Sequence, residues 1–379
     1  MGRSVQKKLS GSSWARPPRR DEVEVCLFGP GFGECSLIHV GGGQWIVIDS
    51  CIDAATGDPA AISYLASIGY SPQDHIALII ATHWHDDHIR GLGELVRRSP
   101  NAKFCCSTAF RRDEFQSMLE AMNQAPSTLA GSGVREMYDV TRTIIGRDQT
   151  VTFAAPNRPI KVFDPADTGH GQPARVTTLS PSDKQITNFF AALSHAVLGS
   201  PRIEPVGPNH LTVVTLVEIG DMGVLLGGDL EETSDPQTGW SAIVNSKERP
   251  QKKAAIFKIP HHGSGNAHSE EVWAQLLLSD PLAALTPFNR GHKLPTPADV
   301  NRIASKTNFA FISASMDLSR SSKRRSTSVE HQLRAMNTKL TRLEPRTGAV
   351  RFRGDPSAPH TSWVIELRDD ARPLSVHAA

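Results

Sequence analysis

The chain has 379 residues, of which 39% are apolar and 21% charged, so its length allows one large domain or two to three ordinary ones. With 29 Gly and 26 Pro, this composition suits a turn-rich globular protein and excludes a coiled coil or wholesale disorder. The net charge of +2 is unevenly spread: residues 1–20 hold six Lys or Arg and no acid, residues 301–360 carry +8, and residues 21–300 carry −11. An acidic body with basic appendages suits a site reached by an anionic polymer.

No apolar run approaches the roughly 20 residues that a bilayer span needs. The basic N-terminus has no apolar core behind it, unlike a secretory signal. A cytoplasmic protein without a membrane partner is expected. The five cysteines include no CxxC pair, and adjacent Cys105 and Cys106 on a strand would point to opposite faces. They read as buried thiols in a reducing compartment.

Residues 1–22 form a basic, flexible segment in this reading, and residues 368–379 a C-terminal tail. Between them, residues 23–29, 31–40 and 44–50 are apolar, β-branched runs parted by glycine-rich turns, which predicts a β-meander. A helix over 59–70 leads to HIALIIAT (75–82), the continuous apolar run of a strand covered on both faces. A helix beginning near Gly91 and the strand AKFCCS follow. The stretch 107–175 reads as an insertion, with an amphipathic helix over 110–124. Later strands are predicted at 175–181, at 211–220 hairpinned to 223–229, and at 254–264. From there helix and strand alternate up to a second insertion, 316–346, and two closing strands.

The chemistry concentrates in Thr82-His83-Trp84-His85-Asp86-Asp87-His88, three imidazoles and two carboxylates within six residues after a buried strand. Such a cluster is costly to desolvate without a cation, and imidazole nitrogen and carboxylate oxygen are the donors that hydrolytic Zn2+ sites use. No G-x-S-x-G nucleophile motif is present.

This HxHxDH run resembles the signature of the metallo-β-lactamase fold superfamily. The resemblance implies an α/β fold, a four-layer αββα sandwich of two mixed sheets, spanning residues 23–367. It implies that His83 and His85 serve one metal and that Asp87 and His88 serve a second. Asp229 in LLGGDLE would bridge both, and His262 in KIPHHGS would complete the second site. Asp87, Asp229 and His262 are thus the expected catalytic residues. Asp49, at the end of WIVID, would orient a ligand from behind, although an Asp at a strand end is also an ordinary turn former. His261 would touch substrate or simply neighbour the site.

Finer resemblance points to the ComEC-like branch, through Gly31-Phe32-Gly33-Glu34-Cys35-Ser36-Leu37-Ile38, the DHIxGL run at Asp87–Leu92, and the GDLE and HHGS elements. Two departures stand out. The histidine expected to complete the first site is replaced by Asn209, with His210 adjacent as an alternative. A late His-Pro pair is replaced by Leu294-Pro295, with His292 nearby as a substitute or a surface histidine.

Two dications in such a site lower the pKa of a bridging water and balance charge in a phosphoryl transition state. The resemblance implies Zn2+, two ions, with Mn2+ as the alternative. The expected function is a phosphodiesterase or nuclease acting on DNA or RNA, guided by Arg320, Lys323, Arg324 and Arg325. The alternatives are a small-molecule hydrolase (phosphodiester, phosphorylcholine ester, lactone or thioester) and a non-catalytic, metal-containing nucleic-acid-binding protein.

Overall fold

A computed structural model describes residues 4–8, 14–111, 132–197, 207–233, 235–315, 332, 346–357 and 362–374. Its strands form two mixed sheets. The first has nine strands in the spatial order Ser4–Lys8, Ser362–Arg368, Gly348–Gly354, Val23–Gly29, Cys35–His39, Trp45–Ile48, Ile76–Ala81, Lys103–Ser107 and Val151–Ala154. The second has eight, in the order Arg372–Pro373, Ala310–Ile312, Leu277–Leu285, Ala254–Lys258, Met222–Leu226, Thr215–Ile219, Ala174–Thr178 and Arg158–Phe163.

Period-2 alternation builds the layers. Along Val23–Gly29, Val23, Val25 and Leu27 enter a core shared with Val217, Val224 and Ile256 of the second sheet. Cys26 and Phe28 face the other way, onto Ile62 and Leu65 of helix Ala60–Ser67 and Leu92 and Leu95 of helix Leu92–Arg98. The second sheet likewise turns Leu216, Leu225 and Phe257 outward onto Trp240, Val272 and Val300, from helices Gly239–Asn245, Glu270–Gln275 and Pro297–Ala304. Three apolar layers therefore separate four layers of secondary structure, and the αββα sandwich expected from the sequence is the architecture found. Each large aliphatic side chain buried in these layers contributes about 1.5–3 kcal/mol.

The parallel strands decide where chemistry can sit. Trp45–Ile48 runs parallel to Ile76–Ala81 in the first sheet. In the second, Met222–Leu226, Ala254–Lys258 and Leu277–Leu285 run parallel in sequence. The loops leaving these five strands carry Asp49, Thr82–His88, Asp229, His261–His262 and Thr286, and they meet at one edge of the sandwich. Crossover loops at strand ends are free to project side chains, whereas the strands themselves are committed to the cores.

Several expectations need correction. Residues 1–22 are not wholly outside the fold: Ser4–Lys8 pairs in parallel with Ser362–Arg368, and Trp14 is buried with its ring under the Arg351 guanidinium. Residues 368–379 are not simply a tail, because Arg372–Pro373 pairs with Ala310–Ile312. Within 107–175, Val151–Ala154 and Arg158–Phe163 are edge strands of the two sheets and belong to the sandwich rather than to an insertion. The strand expected from Leu211 begins at Thr215, since Pro208–Leu211 turns as a 3-10 helix with Pro at its first position. Most of the helix expected over 110–124 and nearly all of 316–346 lie outside the described residues, as do Arg320, Lys323, Arg324 and Arg325.

All five cysteines are buried and free, Cys105 in the core between the sheets and Cys106 in the outer one. Among the described residues, no helix is long and apolar enough to cross a membrane.

Candidate metal centre

Asp49 anchors the site from below. It leaves strand Trp45–Ile48 with φ at 61°, a left-handed conformation that costs a non-glycine residue energy and that Asp tolerates better than most. Its buried carboxylate accepts the Thr82 amide at 2.8 Å and the Thr82 hydroxyl at 2.8 Å. It also accepts His88 Nδ1–H at 2.7 Å. The Thr82 hydroxyl, which donates to Asp49, lies 3.0 Å from His83 Nδ1 and so accepts a hydrogen bond from His83 Nδ1–H. One carboxylate thereby orients two histidines and turns the Nε2 atom of each towards the centre, where His88 Nε2 has no hydrogen-bond partner.

Above Asp49 the coordinating atoms converge. His88 Nε2 lies 3.2 Å from Asp229 Oδ2 and 3.8 Å from Asp87 Oδ2. His262 Nε2 lies 3.1 Å from Asp87 Oδ2 and 3.7 Å from Asp229 Oδ2. His83 Nε2 is 3.1 Å from His85 Nδ1, and the His83 and His88 rings stand 4.2 Å apart. His261 and His262 both have positive φ, at 47° and 52°, in the turn after strand Ala254–Lys258. His262 Nδ1 is fixed by the carbonyl and hydroxyl of Thr286, each at 3.1 Å. The structure thus brings His83, His85, Asp87, His88, Asp229 and His262 together from three loops.

Two residues unassigned in the sequence complete the centre. Glu34 and Lys258 are buried and pair at 2.5 Å, with Lys258 Nζ 3.7 Å from Asp229 Oδ1 and 2.8 Å from the Gly228 carbonyl. Ligand atoms of Glu34, His88, Asp229 and His262 all lie within 4.8 Å of one another. Glu34 was hidden in a glycine-rich turn. Lys258 carried a signal, as the only charge in an otherwise apolar strand.

The donor set fits a cation. His88 Nε2 and Asp229 Oδ1 are buried without a hydrogen-bond partner, which a native protein rarely tolerates without an ion or water. Glu34, Asp49, Asp87 and Asp229 are four buried carboxylates against the single buried ammonium of Lys258. Burial opposes charge on His88, yet Asp229, Glu34, Asp87 and Asp49 outweigh it and hold its pKa well above the usual imidazole value. Burial is likewise outweighed at His262, raised by Asp229 and by its bond to Asp87. Burial also opposes ionisation of Asp87 and Asp229, but His88 and His262 hold both below the ordinary carboxylate range. His83 goes the other way, lowered by burial and by its neighbour His88. The cluster asks for positive charge at the His88–Asp229–Asp87–His262 centre. Those four residues would hold a dication, with His83 and His85 beside them for a second and Glu34 within reach of the same point. A dication there would supply an acidified water and an electrophile for an ester or phosphoryl oxygen.

A cavity of about 710 Å³ opens onto the centre, with Asp87, Asp229 and His262 on its floor. Asn209 lines it and donates from Nδ2 to Glu231 Oε1 at 2.8 Å, while His210 does not line it. His210 follows Asn209 in a 3-10 turn, not on a strand, so strand alternation does not govern the pair. His261 lines the wall, its Nδ1 3.0 Å from Asn266 Oδ1. Asp86 accepts the Gly133 amide and so ties the loop to helix Ser132–Gly146. A Cβ on Gly133 would fall 2.2 Å from the Trp84 carbonyl, so only glycine permits that approach.

The family profile described as the metallo-beta-lactamase superfamily matches residues 28–264. The chain belongs to that superfamily. Its members are mostly metal-dependent hydrolases. Similar solved structures include the metallo-beta-lactamase fold protein YhfI from Bacillus subtilis, at 14% identity over 77% of this chain and 95% of that one, with a TM-score of 0.39. A HARLDQ-motif mutant of the Cronobacter sakazakii metallo-beta-lactamase is 14% identical over 62% of this chain and 75% of that one, with a TM-score of 0.34. MEM-A1, a subclass B3 metallo-beta-lactamase from a soil metagenome library, is 15% identical over 66% and 83%, with a TM-score of 0.33. No curated protein sequence matches the chain. In this chain Asp49 accepts a hydrogen bond from His88, four buried carboxylates surround the centre, and the cavity opens onto Asp87, Asp229 and His262.

Proposed function

We propose that the chain is a metal-dependent phosphodiesterase of the ComEC-like branch that cleaves DNA or RNA, using two Zn2+ ions or, in their place, Mn2+. The observation that carries the reading is the convergence of Asp87, His88, Asp229 and His262 on one point at the floor of an open cavity. A structural zinc site is closed and commonly rich in cysteine, which speaks against a non-catalytic role. The basic segment at 320–325 supports a polyanionic substrate.

A second reading, a small-molecule hydrolase, is favoured by the cavity itself. Its volume of about 710 Å³ and its walls of Trp84, Phe32 and Phe288 suit a compact, partly apolar ligand. Incubating the protein with linear and circular DNA, RNA and bis(p-nitrophenyl) phosphate, in Zn2+ or Mn2+, separates the two. The nuclease reading predicts cleavage of a nucleic acid that weakens steeply with salt and disappears in Asp87→Ala and Asp229→Ala. Turnover of the small diester with nucleic acids left intact would shift the assignment to the second reading.

A further inference from the structure

The loop from Phe288 to Leu294 lines the cavity through Phe288, His292 and Leu294, and contributes none of the ligand atoms that converge at the centre. Phe288 and Leu294 close its base by exchanging two backbone hydrogen bonds, of 2.9 and 3.0 Å. Asn289 ties it down further, donating its amide to the Gly31 carbonyl at 2.9 Å and its side-chain Nδ2 to the Ser315 carbonyl at 3.1 Å. A loop so pinned keeps its place relative to the metal ligands: the Phe288 ring lies 5.3 Å from the His262 ring, and Phe288, His292 and Leu294 line the cavity.

Its sequence, Phe-Asn-Arg-Gly-His-Lys-Leu, holds Arg290, His292 and Lys293 and no acid. These three are exposed, and no ion pair among the described residues engages them. The Arg290 guanidinium sits 3.6 Å over the Phe32 ring, which in turn packs 5.7 Å from Phe288. A guanidinium held on an aromatic face has already lost part of its side-chain entropy and keeps its N–H donors for a ligand. This local excess of positive charge belongs to a loop that lines the same cavity as Asp87 and Asp229, in a stretch of chain that carries −11 over residues 21–300. It is the reversal of field that a polyanion needs to approach an acidic centre.

We infer that loop 288–294 is a clamp for the nucleotide next to the scissile phosphate, with Arg290 and Lys293 contacting backbone phosphate and the Phe32–Phe288 pair offering a face to a base. Phosphate contacts from cations beside an aromatic platform are how single strands are held without reading sequence. The inference rests on the phosphodiesterase reading and narrows it to a strand that extends beyond the cleaved bond.

The test compares kcat/KM for a labelled single-stranded oligonucleotide with that for bis(p-nitrophenyl) phosphate, in wild type, in Arg290→Ala/Lys293→Ala and in Phe32→Leu. The double variant should lower the oligonucleotide-to-small-diester ratio at least tenfold, chiefly through KM. Its binding should also lose about 1.4 units of salt slope for two contacts to a single strand. Phe32→Leu should lower the same ratio with the salt slope nearly intact. Wild-type cleavage of the oligonucleotide with unchanged ratios in both variants overturns the clamp alone. A wild type that neither binds nor cleaves the oligonucleotide, yet turns over the small diester, overturns the nucleic-acid reading and the clamp with it.

Discussion

Replacing Asp49 with Asn isolates one carboxylate from everything else at the centre. Asn keeps the size of the side chain and tolerates the positive φ of 61°, so backbone strain stays nearly constant. Asp49 Oδ1 accepts the Thr82 amide, while Oδ2 accepts both the Thr82 hydroxyl and His88 Nδ1–H, the three distances being 2.8, 2.8 and 2.7 Å. An amide has only one accepting oxygen. If that oxygen stays on the Thr82 amide, the new NH2 faces the hydroxyl and the imidazole, both of which were donating. His88 must then accept at Nδ1 and carry its proton on Nε2, the atom 3.2 Å from Asp229 Oδ2 where a cation is expected. The hydroxyl also loses its acceptor, and with it the orientation of His83. Changes of this kind behind a ligand typically cost 10- to 100-fold in metal affinity. The loss of folding stability, about 1–3 kcal/mol for weakened charge-assisted hydrogen bonds, should be modest beside it. Competitive titration against a chromogenic chelator measures the affinity, and thermal unfolding of the same samples measures the stability. A turn-forming Asp49 would lose stability and keep its affinity. Wild-type metal affinity in Asp49→Asn would refute the orienting role.

Gly228→Ala places a Cβ 2.4 Å from Thr212 Cγ2 on a residue with φ of +50°. Strain and overpacking together should cost roughly 2–4 kcal/mol, read as a lower urea midpoint, and an unchanged midpoint would contradict the close approach. His39 is buried with Nδ1–H donating to the Glu22 carbonyl and Nε2 accepting the Gly43 amide, and burial lowers its pKa to about 4. The folded state therefore refuses a proton that the unfolded chain accepts below about 6.5. The contribution is fully present above that pH and is lost as the pH falls towards 4, by roughly 3 kcal/mol in total. Urea midpoints at several pH values should fall more steeply for wild type than for His39→Gln, and parallel slopes would refute the assignment.

The legible parts of this protein were those whose signal is contiguous. Val23–Gly29 and Ile76–Ala81 announce themselves through apolar alternation and an apolar run, because one stretch of chain contributes to both of its packing layers. The HxHxDH loop packs most of its ligand chemistry into six residues. Glu34 and Lys258 were not legible as a pair, since only the sandwich brings residues so distant in sequence within 2.5 Å. The charge reading also overcounts free cations. Arg351 and Arg353, two of those behind the +8 of residues 301–360, are buried against Glu366 and Glu24 on a sheet face and are not available to a polyanion. Ser4–Lys8 escaped notice because an edge strand pairs through its backbone, and nothing in SVQKK advertises a partner strand at 362–368.

Elemental analysis of the purified protein, with Asp229→Ala beside it, tests the central claim most directly. The claim predicts between one and two transition-metal ions per wild-type chain and a clear loss in Asp229→Ala, which removes a carboxylate lying 3.2 Å from His88 Nε2 and 3.7 Å from His262 Nε2. A wild-type protein that carries no metal and takes up neither Zn2+ nor Mn2+ would contradict it.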